Sequence, residues 1–441
     1  MNFDVIIIGA GAAGNAAAIT LAKGGAKVLQ IERGKFPGEK NLMGGIIYSS
    51  SLEELVPDFW KNAPIERPIT EQNYWVSDKK TVTKLGYSDD AFKAKTEAPA
   101  HAYTVLRSEF DKWMAGEAKK HGAMLLPATV VLDLIVEEGK VVGVVTDRPN
   151  GEIRAPLVIS GEGVNAFVSW KRNFGNKPKP DEVALVVKEV IELPEDVIED
   201  RFQISANEGA SYEIFGDITK GCLGYAFLYT NRKTVSIGVG SLVADFANNE
   251  IASYELLEHV KNHKSIKPFL KGGKTIEYAG HLIPEGGYKK LPTLVADGFL
   301  MTGDAALMVN AVHREGSNFA FVSGRLAGEV ALEAIKNKDF SSNFLNAYRK
   351  KLEDSFILKD LRSYEDVFPF FRKRRDILND YPQLISYAAK SLLTVDGTPK
   401  GKKKKNMVKG VLHWLKVKSR LQSYPPPWYT HMHAHTRTHA H

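Results

Sequence analysis

The chain has 441 residues, 44% of them apolar and 25% charged, the proportions of an ordinary soluble globular protein with room for two or three domains. Cys222 is its single cysteine, which excludes an internal disulfide, a cysteine-rich zinc site and an iron–sulfur cluster ligated by this chain's cysteines. The net charge of +7 is uneven: ten basic residues and no acidic one follow Asp396, so the first 396 residues carry −3, which argues against nucleic acid as a partner and for a local basic device at the end.

The apolar run Val5-Ile6-Ile7-Ile8 predicts a buried strand. It feeds Gly9-Ala10-Gly11-Ala12-Ala13-Gly14 and an alanine-rich helix, and a second strand over residues 27–31 ends at Glu32. In this order a GxGxxG turn has a physical meaning. Gly9 permits the tight turn, Gly11 lets backbone approach a pyrophosphate, and Gly14 lets helix and strand pack closely. Phosphates then rest on the free N–H groups of the helix start, where Ala12 and Ala13 lie. Glu32, 18 residues past Gly14, accepts hydrogen bonds from a ribose diol, and Arg33 beside it joins the cofactor-binding set. A dinucleotide ligand is the expectation. Glycines, Lys23 and Lys27 interrupt the apolar start, so neither a signal peptide nor a membrane span is expected there.

Next come Phe36-Pro37-Gly38-Glu39-Lys40-Asn41 and Gly44-Gly45, a glycine-rich stretch able to wrap a cofactor. Arg107, Phe110, Trp113 and Met114 recur at helical spacing. Strand-like runs follow over 128–136, 141–146 and 155–160. From about 182 to 280 the texture changes: short β-rich runs at 183–191, 211–215, 224–229 and 234–242, separated by turn residues, predict an antiparallel sheet. A helix is expected over 251–263. The nucleotide-binding part resumes at Phe299-Leu300-Met301-Thr302-Gly303-Asp304 and continues into a helix over 323–336. Beyond 342 the pattern is helical, aromatic and then basic.

Three segments, the GxGxxG turn, Arg107 with Phe110-Asp111, and Gly303-Asp304-Ala305-Ala306, resemble the FAD-binding domain of the glutathione-reductase and hydroxybenzoate-hydroxylase superfamily. The resemblance implies FAD, with Asp304 on its ribitol and with Arg107 and backbone near Val131 holding it. The residues alone leave two alternatives open, a turn or cap role for Asp304 and a surface ion pair of Arg107 with Glu109 or Asp111. The string Met308-Val309-Asn310-Ala311-Val312-His313-Arg314-Glu315-Gly316-Ser317-Asn318, with Pro37 to Asn41, Gly44-Gly45 and Ile283-Pro284-Glu285-Gly286-Gly287, resembles the electron-transfer-flavoprotein–quinone oxidoreductases. Within them it is similar to the shorter FixC (EtfC) branch of nitrogen-fixation and flavin-bifurcating complexes. This likeness covers about residues 1–371.

By that resemblance Gly316 and Ser317 open a helix aimed at the flavin ring, with Asn318 in the same cofactor set. His313 and Glu315 are the candidate catalytic residues, since passing electrons from flavin to quinone requires proton uptake. Packing of His313 against the cofactor, with Arg314 paired to Glu315, explains the string equally well. Longer family members carry an iron–sulfur cluster needing four thiolates, so here any cluster is expected on a separate small ferredoxin-like subunit. Cys222, in a β-rich stretch, reads as a buried structural thiol.

In the tail, Lys409, His413, Lys416 and Arg420 share one helical face, and Val408, Val411, Leu412, Trp414 and Leu415 supply apolar surface. Such a helix suits an anionic membrane at about 1 kcal/mol per basic residue. Docking on an acidic partner and a solvated disordered tail remain open alternatives. Tyr364, Phe368, Phe370 and Phe371 read either as an apolar quinone mouth or as core. The run with His431, His433, His435, His439 and His441 is assigned no role, and no metal site is expected.

The expected fold class is α/β and α+β: a Rossmann-like FAD domain from three segments (1–75, 100–180 and 281–340), an inserted antiparallel-sheet quinone domain (76–99 and 181–280), a helical region (341–396) and a basic amphipathic tail (397–441). The resemblance implies an FAD oxidoreductase, cytoplasmic and peripheral on the inner membrane face. It would accept electrons from an electron transfer flavoprotein and pass them to menaquinone or ubiquinone. The alternatives are an isoprenoid double-bond reductase of the geranylgeranyl-reductase type and a flavin monooxygenase. Glu162-Gly163, standing where monooxygenases of the superfamily usually have Asp-Gly, counts against the second.

Overall fold

The computed structural model describes residues 2–41, 45–95 and 97–421. Four successive apolar residues cannot alternate between core and solvent, so Val5–Ile8 lies inside a sheet with all four side chains buried. It pairs in parallel with Val28–Ile31 on one side and Leu157–Ser160 on the other. Met124–Leu126 extends the first side, Phe299–Met301 the second, and Val295–Ala296 closes that edge antiparallel. The three separated stretches of sequence thus meet in one six-stranded sheet. An antiparallel meander of Val131–Glu137, Lys140–Thr146 and Glu152–Arg154 joins the same core through Leu134, Val141 and Val144.

Helix Ala12–Lys23 packs directly on helix Ser317–Asn337, which begins six residues before the expected start because residues 318–322 are themselves buried. Small residues permit the approach. A Cβ on Gly324 would stand 2.1 Å from the Ala13 carbonyl oxygen, and one on Gly328 would stand 2.8 Å from the Thr20 Cβ.

The second sheet has seven strands in the order Lys274–Pro284, Val183–Glu192, Thr234–Leu242, Gly224–Thr230, Ala210–Gly216, Glu71–Ser77 and Val82–Ser88. Every pair is antiparallel except Ala210–Gly216 with Glu71–Ser77, which is parallel. That pair corrects the expectation of a wholly antiparallel sheet. Glu71–Ser77 arrives from a remote part of the chain, so no hairpin dictates its direction. Two expected domain boundaries also fall inside strands: 75/76 cuts Glu71–Ser77, and 280/281 cuts Lys274–Pro284. Each strand is paired along its length with Ala210–Gly216 or Val183–Glu192, which keeps it whole in this sheet.

Alternation gives the sheet two faces. Val187, Tyr212, Leu228 and Ile237 pack with helices Glu195–Phe202 and Ser253–Asn262, while Val186, Phe227 and Tyr229 form a separate cluster on the other side. The C-terminal helices follow. Helix Asp376–Leu393 runs along strands Ala210–Gly216 and Val82–Ser88 and turns back as helix Lys400–Leu421. Arg375 clamps it by two hydrogen bonds to buried Asp245, with Nη2 at 2.7 Å from Oδ1. Tyr381 and Trp414 meet edge to face at 5.3 Å, so Trp414 is engaged in the hairpin. Among the described residues no helix is long and apolar enough to cross a membrane. The histidine run from His431 to His441 lies outside the described residues.

The helix contact sets a stability test. Gly324→Val gains little helix propensity and forces a methyl-bearing carbon into backbone. It should cost about 3 kcal/mol, read as a lower urea midpoint at unchanged m value.

Candidate cofactor and substrate cavity

The two sheets face each other across a cavity of about 720 Å³, walled by both and by the C-terminal helices. At one end Gly9 takes φ +97°, and a Cβ there would lie 2.4 Å from the Gly161 carbonyl oxygen. Gly11, Ala12 and Ala13 line the cavity. Gly14 does not; its missing side chain makes room for the Gly9 carbonyl, 2.1 Å from where a Cβ would be. Glu32 also lines this end, its Oε2 accepting from the Ala10 N–H at 2.9 Å and its Oε1 from the Gly34 N–H at 2.7 Å. Burial raises its pKa against those two donors, and each oxygen keeps a lone pair for a ribose hydroxyl.

The middle of the cavity is cationic. Arg33, Val131, Gly45 and Arg107 line it, while Gly44 lies outside the described residues. Arg107 pairs with Asp111 in a fork at 2.8 and 2.9 Å. The pair is interior, with side-chain exposures of 10% and 1%, so the surface alternative does not hold. Asn41 Nδ2 donates to the same carboxylate at 2.7 Å. His281 enters this region too. Burial, then Arg107 and Arg33, hold its imidazole down to about 4, so it is neutral at pH 7.

At the far end stand Asp304, Gly316 and Ser317. Gly303 is off the wall; at φ +64° its Cβ position lies 2.7 Å from the Ala13 Cβ, bringing the turn down onto the first helix. Burial pushes Asp304 up to about 6, with Arg107 opposing. Helix Ser317–Asn337 starts here, its free N–H groups and dipole directed at the cavity end.

The neighbouring string differs from expectation. His313 is exposed at the cavity rim, its Nε2 hydrogen-bonded to the Tyr364 hydroxyl at 2.8 Å. Glu315 and Asn318 are not on the cavity wall. They bond each other, Asn318 Nδ2 to Glu315 Oε2 at 2.8 Å, across the first turn of the helix. Arg314 pairs with Glu213 instead of Glu315, Nε to Oε1 at 2.8 Å, and lies over Phe215 and Tyr225 at 5.7 and 5.4 Å. The cause is backbone geometry: Arg314 sits at φ +59°, which turns its side chain away from its neighbour. Phe368 and Phe371 join the wall; Phe370 does not.

Sequence reasoning missed His281, Glu213 and the aromatic ladder Tyr225, Phe227 and Tyr229. The ladder had a signal: aromatics at every second position of one strand share one face. Phe227 and Tyr229 stack at 5.5 Å, and Tyr229 closes on Gly45, where a Cβ would lie 2.4 Å from its hydroxyl. Glu162 is occupied locally, taking hydrogen bonds from Ser160, Ser169 and the Val168 N–H. Cys222 is fully buried, and burial pushes its thiol up.

The donor set suits FAD. Glu32 would take the adenosine ribose, the glycine turn and central cations the pyrophosphate, and Asp304 and the Ser317 helix start the ribityl–flavin end. Fold and cavity together define an FAD-dependent oxidoreductase. Residues 4–168 match the FAD dependent oxidoreductase family, and residues 368–416 match the ETF-QO/FixC family C-terminal domain. The chain is 44% identical to the protein FixC of Azorhizobium caulinodans over 92% of its length and 94% of the relative's. To FixC of Escherichia coli K12 it is 40% identical over 90% and 91%. It belongs to the FixC family. A solved structure of a geranylgeranyl bacteriochlorophyll reductase-like protein from Thermoplasma acidophilum superposes with a TM-score of 0.70 over 94% of this chain and 98% of that one. At 22% identity that likeness is one of fold.

Asp304 gives a pH test on the apoprotein. Its folded pKa of about 6 lies above the ordinary 3.8, so the folded state binds the proton more tightly. Its contribution to stability therefore falls as pH rises between those values. Asp304→Asn should flatten that part of a urea-midpoint profile.

Proposed function

We propose that this chain accepts electrons from an electron transfer flavoprotein and passes them to a membrane quinone, menaquinone or ubiquinone. Its setting would be a complex, flavin-bifurcating in some forms, with a separate small ferredoxin-like iron–sulfur subunit. The observation that carries the reading is that one cavity is continuous between two regions. It joins the dinucleotide cradle to an aromatic chamber lined by Phe215, Tyr225, Phe227, Phe368 and Phe371. FAD, when bound, supplies exchange between one-electron and two-electron carriers. The protein's part is positional and electrostatic. Gly316 and Ser317 present N–H groups to negative charge, the aromatic walls exclude water, and Arg107 and Arg33 hold phosphates. His313, tied to Tyr364 at the rim, is the proposed proton-handling residue. Glu315 acts behind it by fixing Asn318 at the helix start.

A membrane-facing surface is part of the proposal. The end of helix Asp376–Leu393 and the turn after it expose Leu392, Leu393 and Val395 at 47%, 79% and 85%, and Val408, Leu412 and Leu415 are exposed along the next helix. Lys402, Lys404, Lys405 and Lys409 stand among them. This composition supports an interfacial hairpin on anionic lipid, with the protein peripheral on the cytoplasmic face. The cavity wall formed by Phe368, Phe371 and Leu378 belongs to the same helical region.

Anaerobic titration is the decisive experiment. Reduced electron transfer flavoprotein should bleach the flavin, NADH alone should not, and added quinone should restore the colour as quinol forms. Bleaching by NADH alone, or reduction of a geranylgeranyl double bond, would replace this reading by the reductase alternative. His313→Gln should keep FAD and slow quinone turnover about tenfold or more. Paired Leu393→Asp and Val395→Asp substitutions should abolish pelleting with anionic liposomes while leaving flavin content unchanged.

A further inference from the structure

The string Ile283-Pro284-Glu285-Gly286-Gly287 holds one carboxyl that the function above does not use. Glu285 follows strand Lys274–Pro284, its N–H bonded to the Glu182 carbonyl at 2.8 Å, and its side chain lines the cavity. Its Oε2 is closed off from solvent and has no hydrogen-bond partner. An unpaired carboxylate in such a place is costly, whereas the neutral acid is tolerated.

The charged neighbours are otherwise engaged. Glu182 is held by Lys290 at 2.8 Å, and Glu213 by Arg314 beyond the Tyr225 ring. Tyr225 is pushed up by its own burial, with Glu213 and Glu285 adding to the effect, so it stays a phenol. Arg372 is the one group opposing burial at Glu285, yet it is held loosely elsewhere. Its Nη2 is 3.4 Å from the Glu285 carbonyl oxygen, its Nη1 is 3.5 Å from Asp181, and its Nε is buried without a partner. Burial pushes Glu285 up to about 8, with Arg372 counteracting.

We propose that Glu285 is a proton donor of the substrate chamber, holding a proton at the cavity wall and delivering it to a carbonyl oxygen of the bound quinone, with Arg372 receiving the carboxylate left behind. The proposal rests on the quinone reading. In the balanced step the quinone gains two electrons, supplied by reduced flavin, and two protons; each C=O becomes C–OH. One proton leaves Glu285; the other, set free as the reduced flavin is oxidised, reaches the second oxygen by way of His313. The Glu285 carboxylate then recovers its proton from water on the Asp181 side, where that carboxylate is 52% exposed.

Two readouts test this on the full-length protein. The first needs no turnover. An infrared titration of the oxidised protein should show a protonated carboxyl band at pH 7 that fades above about 8 and is missing in Glu285→Gln. A spectrum identical in the two proteins at pH 7 overturns the proposal. In the second, dithionite-reduced protein is mixed with decylubiquinone or with ferricyanide, which takes electrons without protons. Glu285→Gln should slow oxidation by the quinone tenfold or more and flatten its pH profile, with ferricyanide oxidation unchanged, and Glu285→Asp should recover part of the rate. Equal loss with both acceptors marks a structural role and overturns the inference, as does an unchanged quinone rate in Glu285→Gln. A wild-type protein that ferricyanide oxidises and decylubiquinone does not overturns the quinone reading itself.

Discussion

Two helix N-termini must stand side by side for one long cofactor to be gripped at both ends, and the contact of helix Ala12–Lys23 with helix Ser317–Asn337 brings this about. Gly324 admits the Ala13 carbonyl where any Cβ would lie at 2.1 Å, and Gly303 lets the late turn settle against the same residue. Ala13 is thus met by both late glycines and itself lines the cavity. Separating these helices by the width of a methyl group would move the adenosine end relative to the flavin end. Both ends rely on the same parallel sheet, since Leu157–Ser160 joins the strand before the first turn to the strand before the last.

The charges of the cavity follow from what surrounds them. Arg107 remains ionised in the interior because Asp111 answers it through two hydrogen bonds, and Asn41 and Asn15 hold Asp111 in turn. A guanidinium fork of this kind is rigid enough to present one face to a phosphate. Arg314 is answered by Glu213 and lies over two rings of the cavity wall, so its charge is already paired. Glu285 has no such answer. That contrast between paired and unpaired groups divides structural charges from those free to change protonation state.

The C-terminal helices give the chamber its outer wall and carry the exposed apolar turn. Their hold on the body is specific: Arg375 reaches Asp245, whose Oδ2 also accepts the Leu223 N–H, and Thr81 bonds Ser386 at 2.7 Å. A buried carboxylate shared between a strand end and a helix start fixes the helix angle more firmly than apolar contact alone. The match of residues 368–416 to the ETF-QO/FixC C-terminal domain falls on this assembly.

Local chemistry was legible because it depends on spacing along the chain. The glycine turn, the buried strand before it, Glu32 and the Gly303-Asp304 turn each state their own requirement within a few residues. Four of the seven strands of the second sheet and the single cysteine were equally plain, whereas Glu71–Ser77, Val82–Ser88 and Lys274–Pro284 were not foreseen as strands. Pairing across remote segments was not. That Arg314 seeks Glu213, 101 positions away, follows from its own left-handed backbone and from the register of Ala210–Gly216 against its neighbours. Glu315 turns from the cavity to bond Asn318, and the parallel pairing of Glu71–Ser77 depends on where a distant strand arrives. The sequence by itself determined the dinucleotide cradle and the β-rich middle segment, because backbone conformation and periodicity are local. Tertiary structure alone decided which charges are paired, which carboxyl is left unpaired, and which aromatics share a wall. Those outcomes depend on sheet register and helix docking, which bring together residues with no relation along the chain.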